Sequence, residues 1–209
     1  MFKVSKTNIK NLLIIEGKQY SDNRGYLREL LLEKEIGCKF KFAIVSKSKK
    51  NILRGLHFQN NKPQGKYISV LKGKILDVAV DLRRKSKTFG KTFSIILSEK
   101  NCKGVFIPAG FAHGFQTLDK ENIVCYSCTE YRSIGNEHAL KYNDPQLKIK
   151  WIKNKLIMTK KDRNAKTLNE LIKNKIIKTK LLLKKSLIYI QIEIKYNKPL
   201  SCSLEFKSY

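Results

Sequence analysis

From residue 8 to residue 150 the sequence consists of short apolar or alternating runs separated by turn residues, which restricts the chain to a β-rich fold. Runs such as KFKFAIVS, KTFSIILS and NIVCYSCTEY each have the length of a strand. Within ILDVAV, residues 75–80, two sets of side chains alternate with a period of two. Turns at LKGK, residues 71–74, and PAG, residues 108–110, reverse the chain. The pattern predicts an all-β sandwich or barrel of the jelly-roll kind.

Helices are predicted only at the edges of this β region. The segments LRELLLEKE, residues 27–35, and TLNELIKNKIIK, residues 167–178, carry apolar residues at helical spacing. A chain of 209 residues is long enough for one domain with a sizeable core, which we place at residues 1–172.

The last segment, residues 173–209, differs in composition from the rest. Its lysines are interleaved with Ile and Leu, and an alternating IYIQIEIKY run follows. Three interpretations stay open: a basic amphipathic helix on an acidic membrane, an extra strand at a sheet edge, or an extension that packs weakly. We treat the segment as a lysine-rich C-terminal extension with no assigned role.

The positive charge of the chain raises the question of a nucleic-acid partner. The sequence has 44 Lys and Arg residues against 17 Asp and Glu residues, a net charge of +27. These cations are spread along the whole chain, without zinc-finger spacing, an RNP-like aromatic strand or a basic recognition helix. We therefore predict no specific nucleic-acid binding, and only loose adhesion to polyanions at low salt.

The N-terminal residues and the cysteines favour a cytoplasmic location. MFKVSKTNIK lacks the apolar core of a signal peptide, and no apolar run approaches the roughly 18 residues of a membrane span. Cys125 and Cys128 form a CxxC pair, but no second pair completes a zinc site. We interpret the five cysteines as reduced and mostly buried thiols.

Five segments contain polar residues that ordinary strands do not require. They are DNRGYLREL (22–30), NILRGLHFQ (51–59), QGKYISVLKGKILDVAVDLR (64–83), IPAGFAHGFQTL (107–118) and YSCTEYRSIGNEHALKYNDP (126–145). These segments follow one another in the order found in a known family, and KDRN at 161–164 ends the match. Residues 10–168 resemble the dTDP-4-dehydrorhamnose 3,5-epimerases of the cupin superfamily. The resemblance implies a jelly-roll β-barrel of the cupin type with short peripheral helices, a homodimer, and a role in surface polysaccharide synthesis.

The resemblance also implies an acid–base reaction on carbons next to a ketone. Inversion there needs a base, a group that holds the enolate oxygen, and an acid on the opposite face. By resemblance, His57 is the general base and Asp162 stabilises the imidazolium that His57 becomes. Lys66 and His113 are implied to stabilise the enolate, and Tyr126 is implied to return the proton.

Without the resemblance, each of these residues could also have a purely structural role. His57 could be a core histidine that bonds a backbone carbonyl, and Asp162 could be a charge at a helix N-terminus. Tyr126 could pack within a strand, and Lys66 could be one more surface lysine. The motifs around them carry the functional interpretation.

The resemblance implies that cations, carboxylates and an aromatic ring hold a nucleotide sugar. The planar fork of arginine suits a pair of phosphate oxygens, and aromatic rings stack on bases. The implied substrate contacts are Arg24, Tyr26, Glu29, Arg54, Glu137 and Lys161, together with Lys66 and His113.

No metal and no cofactor is predicted, although other cupins hold a metal through several histidines and a carboxylate. The chain has three histidines, and only His57 lies in the first motif, where metal cupins carry an HxH pair. His138 is assigned no role. An iron-dependent cupin is therefore the less favoured enzyme class.

One segment departs from the family pattern. Phe42, Ala43 and Ile44 stand where the family has a Gln-x-Asn stretch that contacts the nucleotide. Loss of a hydrogen-bond partner costs about 1–3 kcal/mol per buried group, so nucleotide discrimination is expected to differ. The alternatives are a 3- or 5-epimerase of another 4-keto sugar nucleotide, and a non-catalytic cupin that binds sugar nucleotides.

Overall fold

The structure is a computed structural model that describes residues 3–31, 33–152 and 155–177. The strands in these residues are β1 (Lys3–Lys6), β2 (Leu13–Glu16), β3 (Gln19–Asp22), β4 (Gly25–Arg28), β5 (Phe42–Lys49), β6 (Leu53–Gln59), β7 (Lys66–Lys72), β8 (Lys74–Asp81), β9 (Thr92–Ser98), β10 (Lys103–Ile107), β11 (Phe111–Thr117), β12 (Glu121–Cys128) and β13 (Glu137–Ala139). The helices are α1 (Glu33–Ile36), α2 (Lys160–Arg163) and α3 (Leu168–Lys173).

The strands form two large antiparallel sheets and one separate hairpin. The six-stranded sheet has the order β1-β2-β10-β7-β12-β5, and the five-stranded sheet has the order β13-β6-β11-β8-β9. Buried side chains of β7, β10 and β12 from the first sheet pack with those of β8, β9 and β11 from the second. The predicted all-β jelly roll is confirmed, as two packed sheets that are not closed into a barrel by hydrogen bonds.

Strand β8 is buried on both of its faces. Ile75 and Ala79 belong to the apolar cluster between the sheets, whereas Leu76, Val78 and Val80 belong to a second cluster. The C-terminal part of the described chain covers that second face with the side chains of Leu140, Leu147, Leu168, Leu171 and Ile177. Asp77 shares the inner face with Ile75 and Ala79, because side chains two residues apart point the same way. A carboxylate is thereby placed between the sheets.

The hairpin of β3 and β4 stands apart from both large sheets. Its side chains are largely exposed: Tyr20 is 48%, Tyr26 is 58% and Leu27 is 66% accessible. Arg28 joins the hairpin to the six-stranded sheet, since its guanidinium donates to the Val70 carbonyl at 2.8 Å and to the Glu99 carbonyl at 3.3 Å. The hairpin is thus fixed at its base, while its two strands present exposed aromatic and aliphatic side chains.

The predicted helix over residues 27–35 is wrong for most of its length. Residues 25–28 pair with residues 19–22 as a strand, and only Glu33–Ile36 form a helix. Cross-strand pairing with residues 19–22 outweighs the helical propensity of a leucine- and glutamate-rich segment.

The predicted C-terminal helix is confirmed in part as α3. Thr167 caps the N-terminus of this helix and forms a capping box with Glu170, and the helix ends at Lys173. Residues 178–209 and the alternating IYIQIEIKY run lie outside the described residues, so the division at residue 172 stays a prediction. Within the described residues, every helix is too short to cross a membrane.

Candidate active site

Two cavities lined from both sheets share four side chains. The larger cavity has a volume of about 310 Å³ and the smaller about 250 Å³, and both are lined by His57, Lys66, Tyr126 and Lys161. Glu137 also lines the larger cavity. Arg54, His113 and Asp162 line the smaller one. We call the two together the catalytic cavities.

His57 and Asp162 form a close pair at the wall of the smaller cavity. The Nε2 atom of His57 lies 2.6 Å from Oδ1 of Asp162, although 105 residues separate them. The Asp162 side chain is buried, whereas that of His57 is 41% exposed and reaches the cavity. Burial alone would raise the pKa of Asp162, but hydrogen bonds from His57 and Thr159 lower it below its ordinary value. The ionised carboxylate orients the imidazole and stabilises its protonated form.

A second histidine–carboxylate pair lies next to the first. His113 on β11 is the register partner of His57 on β6, and its Nε2 atom lies 2.8 Å from Oδ2 of Asp77. Gly55 and Gly114 let these strands approach closely, since a Cβ on Gly55 would lie 2.7 Å from the Gly114 Cα. Both members of the His113–Asp77 pair are buried.

Lys66 begins strand β7 and lines both cavities. Burial lowers the pKa of its ammonium, while the carboxylates of Glu137 and Asp77 and the nearby Cys128 act in the opposite direction. A cation in this position is available to an oxygen that acquires negative charge in the cavity.

Tyr126 lies on β12 between two apolar register partners, Ile44 on β5 and Ile68 on β7. Burial is the largest cause that raises the pKa of its phenol, followed by the nearby Cys128. The phenol therefore keeps its proton at neutral pH and can serve as a proton donor.

The predicted site residues fall into two groups. One group lines the catalytic cavities: His57, Lys66, Tyr126, Asp162, Arg54, His113, Glu137 and Lys161. The other group lies outside them: Arg24 and Tyr26 line a separate hairpin cavity of about 450 Å³, and Glu29 is exposed. Arg24 pairs there with Asp22 at 2.6 Å.

Sequence reasoning missed Asp77 and Arg132. A signal for Asp77 existed, because it is the single carboxylate within the apolar run of residues 75–80. Arg132 lines the larger cavity and pairs with Glu137 at 2.8 and 2.9 Å, but nothing in the sequence marks it among the other cations.

The segment that departs from the family pattern lies at the larger cavity. Ile44 lines this cavity, and the ring of Phe42 stacks on Tyr131 with centroids 5.9 Å apart and planes 15° apart. Ile44 therefore presents an apolar side chain to the cavity, whereas Phe42 packs on Tyr131. Among the described residues, no three His, Cys, Asp or Glu side chains cluster in an arrangement for a metal ion.

The fold and the catalytic cavities define a class of protein. A jelly roll that brings a histidine–aspartate pair, a buried lysine and a neutral tyrosine to one cavity is a cupin-type enzyme of acid–base chemistry. The model of the family "dTDP-4-dehydrorhamnose 3,5-epimerase" matches residues 6–170. The chain belongs to this family, as the resemblance predicted.

Curated relatives and solved structures agree with this assignment. The dTDP-4-dehydrorhamnose 3,5-epimerase of Methanothermobacter thermautotrophicus is 43% identical over 175 residues, which cover 80% of this chain and 95% of the relative. That of Salmonella typhimurium is 42% identical over 158 residues, 72% of this chain and 86% of the relative. The Legionella pneumophila epimerase, solved with dTDP-4-keto-L-rhamnose, has a TM-score of 0.80 and 40% identity, with 84% and 97% coverage. The Bacillus anthracis enzyme, solved with TDP and PPi, has a TM-score of 0.77 and 38% identity, with 80% and 100% coverage.

Proposed function

We infer that the protein is an isomerase that inverts C3 and C5 of dTDP-4-dehydro-6-deoxy-D-glucose, giving dTDP-4-dehydro-L-rhamnose for dTDP-rhamnose biosynthesis. The observation that carries this inference is the His57–Asp162 pair, which shares its cavity with Lys66 and Tyr126. Base, enolate-stabilising cation and acid are the three groups that such an inversion requires.

The proposed mechanism begins with proton removal by His57. The C–H proton next to the C4 ketone moves to the imidazole, and the electron pair of that bond forms an enolate with its charge on the ketone oxygen. The ionised Asp162 stabilises the resulting imidazolium, and Lys66 with His113 stabilises the enolate oxygen. Tyr126 then donates its proton to the opposite face of the carbon. His57 then releases its proton to solvent and Tyr126 takes one up, which restores both groups, and the same steps are repeated at the second carbon.

We assign substrate binding to three further polar residues of the catalytic cavities, Arg54, Glu137 and Lys161. Arg54 is supported by a hydrogen bond from its Nε atom to Ser48 Oγ at 3.0 Å. The apolar side chain of Ile44 favours a nucleotide contact with fewer hydrogen bonds, which keeps another nucleotide 4-keto sugar as the alternative substrate. The cytoplasmic location stays a prediction.

We further propose a homodimer in which the β3–β4 hairpin brings Arg24, Tyr26 and Glu29 to the partner's cavity. Two observations support it: the hairpin carries exposed aromatic side chains, and these three residues do not line the catalytic cavities of their own chain. Light scattering is expected to give twice the chain mass of 24.2 kDa. A species of single-chain mass at micromolar concentration would refute the dimer.

Proton exchange tests the proposed reaction directly. The protein is incubated in deuterium oxide with dTDP-4-dehydro-6-deoxy-D-glucose, and ¹H NMR follows the C3 and C5 signals. We expect deuterium at both carbons and formation of the L-rhamno product. Exchange at a single carbon would indicate a monofunctional epimerase, and binding without any exchange would indicate a non-catalytic sugar-nucleotide cupin.

A further inference from the structure

Arg132 is a cation of the larger cavity that the proposed mechanism does not use. It lies between β12 and β13, and it lines the cavity together with two other cationic side chains, Lys66 and Lys161. Glu137 is the only carboxylate among the side chains that line this cavity in the described part of the chain. The cavity therefore carries an excess of positive charge, which suits an anionic ligand.

The backbone on both sides of Arg132 is held by one buried side chain. The amide of Gln59 accepts a hydrogen bond from the Ser133 N–H at 2.9 Å and donates one to the Tyr131 carbonyl at 3.3 Å. Gln59 is only 5% exposed, and Phe42 stacks on the ring of Tyr131. These contacts fix the position from which the guanidinium enters the cavity, so little ordering is left for a ligand to impose.

The guanidinium of Arg132 is paired but not saturated. Its Nε and one terminal nitrogen donate to the two carboxylate oxygens of Glu137 at 2.8 and 2.9 Å, and this contact is the largest cause that lowers the pKa of Glu137. Arginine has five N–H donors, so further donors remain available. The Arg132 side chain is 63% exposed, so the ion pair is screened by water and can share its cation with an oxyanion.

We propose that Arg132 is a further substrate-binding residue that donates to the diphosphate of the nucleotide sugar. This inference rests on the proposed function for the identity of the ligand. The planar fork of arginine matches phosphate oxygens, and the Lys161 ammonium lines the same cavity and adds a second positive charge for a diphosphate. Arg132 acts in binding and takes no part in proton transfer.

The experiment measures dTDP binding by calorimetry, with thymidine and inorganic pyrophosphate as further probes. We expect Arg132→Ala to weaken dTDP and pyrophosphate binding about tenfold, as loss of a charge-assisted contact does. Thymidine binding should be unchanged, and Arg132→Lys should recover part of the loss because it keeps the charge but not the fork. The control is Arg163→Ala, which removes an equal charge from an exposed residue that lines neither catalytic cavity.

Thermal unfolding separates phosphate binding from a structural role of the ion pair. Arg132→Ala should unfold close to the wild-type temperature without ligand, and pyrophosphate should raise the melting temperature of the wild type more than that of the variant, because a ligand stabilises the folded state that binds it. The proposal is overturned if Arg132→Ala weakens thymidine as much as dTDP, if Arg132→Ala has no effect on dTDP binding, or if the wild type does not bind dTDP. Binding that depends on Arg132 in a protein without proton exchange would refute the proposed reaction and leave this inference standing.

Discussion

Replacement of His57 by Asn is expected to lower deuterium incorporation at both C3 and C5 about a thousandfold, within the range for loss of a general base. Asn can still donate a hydrogen bond to the buried Asp162 carboxylate, but it cannot accept a proton near neutral pH. Both carbons should be affected equally, because the proposed mechanism uses one base for both. The measurement is the initial rate of signal loss in deuterium oxide by ¹H NMR.

The matched control is His138→Asn, a histidine that lines neither catalytic cavity. Its exchange rate should stay close to that of the wild type. Thermal unfolding of both variants checks that each is folded, and dTDP binding checks that the cavity is intact. Near-normal exchange in a folded His57→Asn protein would rule out His57 as the base.

Replacement of Tyr126 by Phe is expected to separate proton exchange from inversion. Product formation should fall a hundredfold or more, because the acid that donates to the opposite face is lost. The enolate can still be reprotonated by His57 on the original face, so deuterium should enter the unreacted substrate. NMR measures both quantities in one sample: deuterium in the recovered substrate and the amount of L-rhamno product.

Tyr142→Phe is the control for loss of a phenol hydroxyl outside the catalytic cavities. It should leave both exchange and inversion unchanged. If Tyr126→Phe reduces exchange and inversion by the same factor, Tyr126 acts before or together with proton removal. If it forms product at the normal rate, another group is the acid.

The strands were predictable because their signals are local. Alternation in residues 75–80 and the turn at residues 71–74 fix β8 and its reversal without knowledge of distant residues. The failed helix over residues 27–35 shows the limit of such signals. Its leucines and glutamates favour a helix, but residues 25–28 instead form a strand that pairs with residues 19–22.

The candidate site was predictable only through the family resemblance. His57 and Asp162 are 105 residues apart, and no local pattern links them before the sheets are folded. The family motifs also do not say which residues surround the expected set. Arg132 lies at the cavity because Gln59 on β6 binds the backbone of the loop that contains Arg132. Such a tertiary contact cannot be recognised from the sequence.

Burial of β8 on both faces affects how its pairing register is chosen. In a strand with one solvent-exposed face, a register shift by one residue is unfavourable, because it would expose the apolar side chains of the other face. This effect does not fix the register of strand β8, since aliphatic side chains occupy both of its faces. A shift by one residue would instead carry Asp77 away from His113 and into the second apolar cluster, where its charge would be unpaired. The carboxylate beside the candidate site thus also disfavours a one-residue shift of β8, which its aliphatic side chains alone would tolerate.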